Sequence, residues 1–438
     1  MPYKWWEKEG IEHHPLNVMM DPDRYHVAIN NILPAVRGQF ASMPKKVVIE
    51  DDTLREGIEC PHGLWGRNTT ETRVKIARAL EDAGIEEVQV GFVHTDPIAQ
   101  ELVRDLRRET PGLKPVCHVG TTKESIDGTV DQGVYMGWMM LKLNDWDIQR
   151  RTLWSGKKIR MDTETHIIED ICEHAVSAIE YAKDRGMYIR AGSASPIFDP
   201  INRLAALLKA EVDAGADGAW MGDGPGAGIP EAFKFLTAMA RSILGPDKDI
   251  EGHWHNDYGL GTANAIAAVT AGCDVISCSV HGLGDRAGIT ALEEVVTILE
   301  ILYGVDTGVD MEKLWPLSQL VSELYGIRLS QNKAIVGENT YVHEEDPHIS
   351  RVIRSGRKWW GYNTINPEYL GRRQHLHWGG SSMHKGPNSC TALKIAEMGF
   401  SYDEKKLNDI IERATEIAKR RRYATEEEVE KIIRDTYK

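Results

Sequence analysis

The chain has 438 residues, 42% of them hydrophobic, and carries 52 Lys and Arg against 66 Asp and Glu for a formal net charge of −14. That length exceeds one ordinary domain and suits a large α/β barrel with an appendage, and the acidic balance argues against a nucleic-acid or anionic-membrane binder and for small-molecule partners. Cys60, Cys117, Cys172, Cys273, Cys278 and Cys390 are scattered without CxxC spacing, and neither a basic leader ahead of an apolar run nor a long apolar stretch occurs, so the expectation is a cytoplasmic protein with reduced thiols, no export and no membrane span.

Residues 1–44 are rich in aromatic and His side chains without periodicity and read as an N-terminal extension that wraps the body or meets a second subunit. From Lys46 onward short β-branched or apolar runs alternate with longer stretches of helical spacing. Eight candidate strands follow, at 47–52, 87–92, 115–119, 138–143, 187–191, 218–222, 252–255 and 274–280. Between them lie amphipathic segments at 70–83, 98–108, 167–185, 202–214 and 229–243, several closed by Gly as a helix stop. Eight βα units within residues 45–305 have the size and count of a TIM barrel, with an open doubly wound sheet as the competing architecture. In a barrel the chemistry sits at the carboxyl ends of the strands, where this assignment puts Asp51, Glu56, Lys142, Arg190, Asp223, His253 and His255.

Two Gly-rich stretches, 222–228 and 282–288, follow strands but lack both GxGxxG spacing and the Walker lysine, so they read as tight loops that let backbone approach a ligand. Residues 306–400 form a linker or lid region, helical at 311–324 and then Gly-, Trp- and His-rich and irregular to about 389. Two charged helices, 403–423 and 425–437, make a small C-terminal subdomain over 401–438, read as a solvated structural module. The last one opens on Thr425-Glu426-Glu427-Glu428, a capping box.

The chemistry centres on Ile250-Glu251-Gly252-His253-Trp254-His255-Asn256-Asp257. On a strand, two histidines two residues apart project from one face and can converge on one cation, although an HxH pair alone is equally two polar residues on a strand. A second strand end, Glu50-Asp51-Asp52-Thr53-Leu54-Arg55-Glu56-Gly57, adds carboxylates and an arginine, completing a His, His and carboxylate first shell for Mg, Mn, Zn or Co.

These motifs resemble those of the DRE-TIM metallolyases. Residues 51–57 resemble the signature D-x-T-L-R-(D/E)-G, residues 253–259 the H-x-H-N-D-x-G, and GLGDRAGITALEEV at 282–295 the G-x-G-E-R-x-G-x-x-x-L-E-E-V run of the isopropylmalate, homocitrate and citramalate synthase branch. Residues 337–344, Pro347-His348, and Tyr362 five residues ahead of Pro367-Glu368 are similar to that branch's linker domain. The resemblance implies Glu56, His253 and His255 as metal ligands and Arg55 at the substrate carbonyl or developing enolate oxygen. It implies His348 and Tyr362 as acid/base groups reaching over from the lid of a second subunit in a homodimer, and a Claisen-type condensation of an acyl-CoA with a 2-oxo acid or related carbonyl compound. Retro-Claisen or retro-aldol cleavage, as in other branches, and a non-catalytic ligand-binding barrel are the alternatives; the glycine loop after Cys278 lacks the cysteine of the hydroxymethylglutaryl-CoA lyases.

The chain departs from that branch around the acceptor. Ser193 stands where the branch has a strand-five Glu, Asn144-Asp145-Trp146-Asp147 where it has S-D-x-H, Gly224 for a Thr, Ile289 for an Asn, and Glu59 for a Gln. Lys142 and Arg190 are extra cations at strand ends. Together with Arg55 and Ser193 they are the candidate substrate contacts, although each of these two cations serves equally well as a barrel-interior ion pair.

Overall fold

Eight parallel strands close on themselves in the computed structural model, which describes residues 20–21, 23–28, 31, 33–40, 42–60, 64 and 66–438. They are β1 (Val48–Asp51), β2 (Glu87–Gln89), β3 (Lys114–Val119), β4 (Met136–Leu141), β5 (Tyr188–Ser193), β6 (Gly218–Asp223), β7 (Asp249–Trp254) and β8 (Val275–Cys278). Each pairs with the next, and β8 returns to β1 with Val275 opposite Val48 and Cys278 opposite Asp51. The barrel is therefore the expected TIM barrel, and the doubly wound alternative is excluded by that closure.

The helices that follow the strands are α1 (Thr70–Asp82), α2 (Pro97–Glu109), α3 (Lys123–Asp131), α4 (Glu164–Asp184), α5 (Ile201–Asp213), α6 (Pro230–Leu244), α7 (Gly261–Val269) and α8 (Leu292–Thr297). Their starts are chemical: Thr69, Asp96, Thr122 and Thr163 each accept a hydrogen bond from a backbone N–H of the first turn, satisfying a donor that the helix leaves orphaned. A further helix, α9 (Leu314–Tyr325), packs on α1. For that reason the barrel's compact unit runs from Asn31 to Arg328, past the 305 expected as its end.

Inside the barrel the period-two alternation sorts side chains into layers. Low in the barrel, Glu50, Glu87, Glu251 and Asp249 surround Arg190, whose guanidinium donates to Glu87 at 2.7 and 3.2 Å and to Glu251 at 2.9 Å. Above it, Trp138 and Trp220 are buried with Val116 and Ala194, and the Trp220 indole occupies the space that Gly222 leaves open, where a Cβ would lie 2.5 Å from its ring. Truncating an indole held this way costs about 3–5 kcal/mol, so this layer braces the strands that carry the mouth residues.

The second compact unit comprises the described part of Glu12–Asn30 and residues Leu329–Lys438. A three-stranded sheet of β9 (Val342–His343), β10 (His375–Trp378) and β11 (Ala424–Thr425) is joined by α10 (Asp346–Arg354), α11 (Cys390–Glu397), α12 (Glu404–Arg421) and α13 (Glu426–Thr436). The capping box at Thr425 and Glu428 forms as its sequence foretold. The two terminal helices are more than a solvated module. Leu407 and Ile410 of α12 and Val429 and Ile433 of α13 share one core with Trp378, so contacts draw no boundary at residue 401. The reading of residues 1–44 as a wrapping extension lies largely outside the described residues. Among the described residues no helix is long and apolar enough to cross a membrane.

Candidate metal centre and active site

His253 occupies the penultimate position of β7 and His255 follows the strand, so both imidazoles turn inward at the carboxyl end of the barrel. Their Nε2 atoms face each other at 3.3 Å. Glu56, on the turn after β1, brings Oε1 to 3.7 Å from His255 Nε2, and the three side chains offer ligand atoms all within 4.8 Å of one another. Two facing ring nitrogens share at most one proton, so at least one lone pair points into the gap beside the carboxylate, a donor set that fits a divalent cation.

The surroundings fix these groups. His253 Nδ1 lies 2.9 Å from Ser277 Oγ, and Ser277 donates its own hydroxyl proton to Asp52 Oδ2 at 3.2 Å. The chain Asp52, Ser277, His253 therefore puts the imidazole proton on Nδ1 and leaves Nε2 as the inward-facing lone pair. Burial, reinforced by His255, Arg55 and His118 nearby, holds His253 well below the ordinary imidazole range, which keeps it neutral. Burial pushes the Asp52 carboxyl up to about 6 against the pull of Arg55. Asp52 Oδ1 also accepts the Glu56 backbone N–H at 3.1 Å, and so links the turn that carries Glu56 to Ser277 and, through it, to His253.

Arg55 donates to Asp52 at 3.0 Å and to Glu56, and its guanidinium carbon stands 5.8 Å from the Trp138 ring centre. Two glycines make room for this pair. A Cβ on Gly284 would lie 2.9 Å from Glu56 Cγ, and one on Gly91, which has φ of +85°, would lie 3.2 Å from Arg55 Cγ. The Asp285 N–H donates to Glu56 Oε1 at 3.1 Å, so the loop after β8 presses backbone against the carboxylate.

Residues 46–321 match the family model described as HMGL-like. The chain belongs to the HMGL-like family. Among curated proteins it is 31% identical to a putative (R)-citramalate synthase of Methanopyrus kandleri, over 90% of this chain and 73% of that one. It is 30% identical to a homocitrate synthase of the same organism, over 92% and 96% of the two chains. A 2-isopropylmalate synthase of Methanocaldococcus jannaschii is 32% identical, over 90% and 72%. Among solved structures a hydroxymethylglutaryl-CoA lyase of Pseudomonas aeruginosa aligns with a TM-score of 0.53 at 21% identity, covering 66% of this chain and 95% of that one, a likeness of fold. The HMGL-like membership and these relatives agree with the branch that the motifs resemble.

The remaining candidate residues go to different places. Arg190 is not at the mouth: it is 2% exposed in the lower layer, its described ion-pair partners are Glu50, Glu87, Asp249 and Glu251 on the barrel strands, and of its two readings the ion pair is the one realised. Ser193 alternates with Arg190 and Gly192 and so turns to the other side of the sheet, where its hydroxyl donates to Asp199. Asp51 and Asp223 likewise point outward, Asp51 capping Thr53 and Asp223 accepting from the N–H groups of Ala227 and Gly228. Lys142, one residue past β4, shares the inward parity of Trp138 and Met140 and is exposed at the rim. His348 and Tyr362 are brought together within the second unit, their rings stacked 3.8 Å apart. Sequence reasoning placed Asp52 in the carboxylate segment without a role of its own and passed over Ser277, His118 and the two interior tryptophans; the one available signal was their alternation with outward residues along strands already assigned.

Proposed function

We propose that this chain is a divalent-metal-dependent acyltransferase that forms a carbon–carbon bond by Claisen-type condensation of an acyl-CoA with a 2-oxo acid or related carbonyl compound. The observation that carries this reading is the convergence of Glu56, His253 and His255 beside Arg55 at the carboxyl end of the barrel. It is supported by relatives named as citramalate, homocitrate and isopropylmalate synthases over most of the chain.

Glu56 Oε1 or Oε2 and the Nε2 atoms of the two histidines would hold the ion. When bound, such an ion polarises a carbonyl and orients the acceptor as a Lewis acid. Arg55, fixed by Asp52 and Glu56 and 13% exposed at its side chain, presents a permanent positive charge to the oxygen on which negative charge develops. Lys142 is the rim cation left to meet an anionic substrate group once Arg190 is committed elsewhere. His348 and Tyr362 are the acid/base candidates, acting from a second subunit in the homodimer that we take as the working assembly.

The test is thiol release. The acyl methyl loses a proton, its carbon bonds to the acceptor carbonyl carbon, and water then hydrolyses the thioester of the adduct, so the metal-loaded chain incubated with acetyl-CoA and a panel of 2-oxo acids releases free CoA with at least one acceptor, and both chelation and Glu56→Gln abolish the release. Absence of thiol release with every acceptor, alongside appearance of a carbonyl product from a hydroxy-acyl substrate, moves the chain to the cleavage reading instead.

A further inference from the structure

Between β4 and α4 the chain makes a connection of residues 142–163, much longer than the two to six residues common in βα loops, and it lies at the same end of the barrel as Glu56 and His255. From Lys142 to Arg160 it carries six cationic and two anionic side chains in a protein whose net charge is −14. Both anions are occupied: Asp145 accepts from Arg203 at 2.7 Å and Asp147 from the Asn144 amide at 2.7 Å. Arg160 is spent on Asp170. Arg150, Arg151 and Lys158 donate to carbonyl and hydroxyl oxygens, and the Arg151 Nε is buried without a partner.

This loop is built, not slack. Thr152 pairs antiparallel with Lys158, the Leu153 N–H donates to the Lys157 carbonyl at 2.8 Å, and Leu153 and Ile159 are buried beneath the hairpin. The Trp154 N–H donates to His174 Nδ1 at 2.8 Å. On the single helical turn ahead of the hairpin stands Trp146, 66% exposed, with the Arg150 guanidinium carbon 3.3 Å from its ring centre on one face. An indole backed by a cation and open to solvent is a stacking platform, and the excess of cations beside it forms a phosphate-binding surface.

We propose that this loop docks the 3′-phosphoadenosine diphosphate end of the acyl-CoA, with the adenine stacked on the free face of Trp146 and the phosphates held by Arg150, Arg151, Lys157 and Lys158. The proposal rests on the acyl-CoA reading above and assigns the part of the co-substrate farthest from the reacting carbon. It gives a function to the segment in which this chain departs from the synthase branch, Asn144-Asp145-Trp146-Asp147.

The test is calorimetric titration of the full-length, metal-loaded chain with coenzyme A, with 3′-phosphoadenosine 5′-phosphate and with pantetheine, for the wild type, Trp146→Ala and the double variant Lys157→Glu/Lys158→Glu. All three substituted side chains are exposed, and thermal melts confirm folding. Trp146→Ala weakens both nucleotide ligands roughly tenfold. The double charge reversal weakens them at least as much and flattens the salt dependence. Neither variant changes pantetheine binding. Variants that bind coenzyme A as the wild type does overturn the docking site and leave the proposed reaction standing. A wild type that binds neither coenzyme A nor its nucleotide overturns both. A wild type that binds coenzyme A through this loop but releases no thiol with any acceptor supports the docking site and overturns the condensation.

Discussion

Ser277 Oγ meets His253 Nδ1 at 2.9 Å, on the side of the imidazole opposite the nitrogen that faces His255. The hydroxyl relays that contact to Asp52, so it sets the tautomer of a histidine that faces the gap beside Glu56 without touching the gap itself. Ser277→Ala removes the acceptor while leaving Glu56, His253 and His255 in place. Affinity for Mn²⁺ measured by calorimetry is expected to fall about 10- to 100-fold. Unchanged affinity would show that packing alone holds the ring.

Arg190 is the sole cation within reach of Glu50, Glu87 and Glu251 among the described residues, and its substitution tests the stability of the barrel, not the affinity for substrate. Arg190→Met leaves buried carboxylates uncompensated and is expected to destabilise the fold by about 3–5 kcal/mol at neutral pH. The pH dependence has a definite sign. Burial drives Glu50 well up and Glu251 up to about 8, so the folded chain binds more protons than the unfolded one between the ordinary carboxylate range and that value. Stability from this cluster is therefore complete at low pH and lost as pH rises through about 8. In Arg190→Met the loss steepens, and the deficit in melting temperature relative to wild type is expected to be smaller at pH about 5 than at pH about 8. A deficit independent of pH would mean that the guanidinium acts by packing.

Why Arg190 was assigned to the mouth is itself a physical lesson. The β-branched signal of the fifth strand fades at Ala191, which put Arg190 next to the last position, whereas pairing with β4 continues to Ser193 and drops Arg190 to the lower half. Ser193 was misread for a related reason: a side chain's face is set by single-residue parity, which a motif alignment does not test. The strands themselves were legible, because runs such as 274–280 are β-branched and bounded by Gly or Asp. Helices α3 and α7 were not. Gly128, a weak helix former, sits inside α3 because it packs against His94, where a Cβ would lie 2.9 Å from His94 Cβ, and α7 has apolar or small residues on nearly every side and so shows no amphipathic stripe. The Ser277 and Asp52 contact spans 225 residues and has no local signature at all.

Gly284→Ala probes the gap between Glu56 and the two histidines by volume alone, since this glycine has no positive φ to strain. The new methyl would sit 2.9 Å from Glu56 Cγ and 3.2 Å from Oε1, so the carboxylate has to move by a few tenths of an ångström or more. A ligand displaced on that scale leaves its coordination distance. Mn²⁺ affinity and thiol release are expected to fall together by roughly tenfold or more, with little change in melting temperature. Gly380→Ala, where a Cβ meets nothing within 4 Å, is the control and is expected to leave both unchanged.

His348 and Tyr362 stack at 3.8 Å with 28° between their planes, and His348 Nε2 lies 2.9 Å from Glu345 Oε2. Tyr362, 44% exposed, holds the imidazole by its face. A group whose work is proton transfer loses rate and not metal affinity when removed, so His348→Ala is expected to lower kcat by about 10²- to 10⁴-fold at unchanged Mn²⁺ affinity. Tyr362→Phe keeps the stack and removes the hydroxyl, which separates chemistry from support: a fall in kcat assigns a role to the hydroxyl, and wild-type kcat confines Tyr362 to positioning the imidazole. If the pair serves a neighbouring chain's barrel, mixing inactive Glu56→Gln chains with inactive His348→Ala chains restores activity, because one of the two mixed sites then holds both intact parts. Failure to complement under conditions where the chains demonstrably exchange would place His348 with the Glu56 of its own chain.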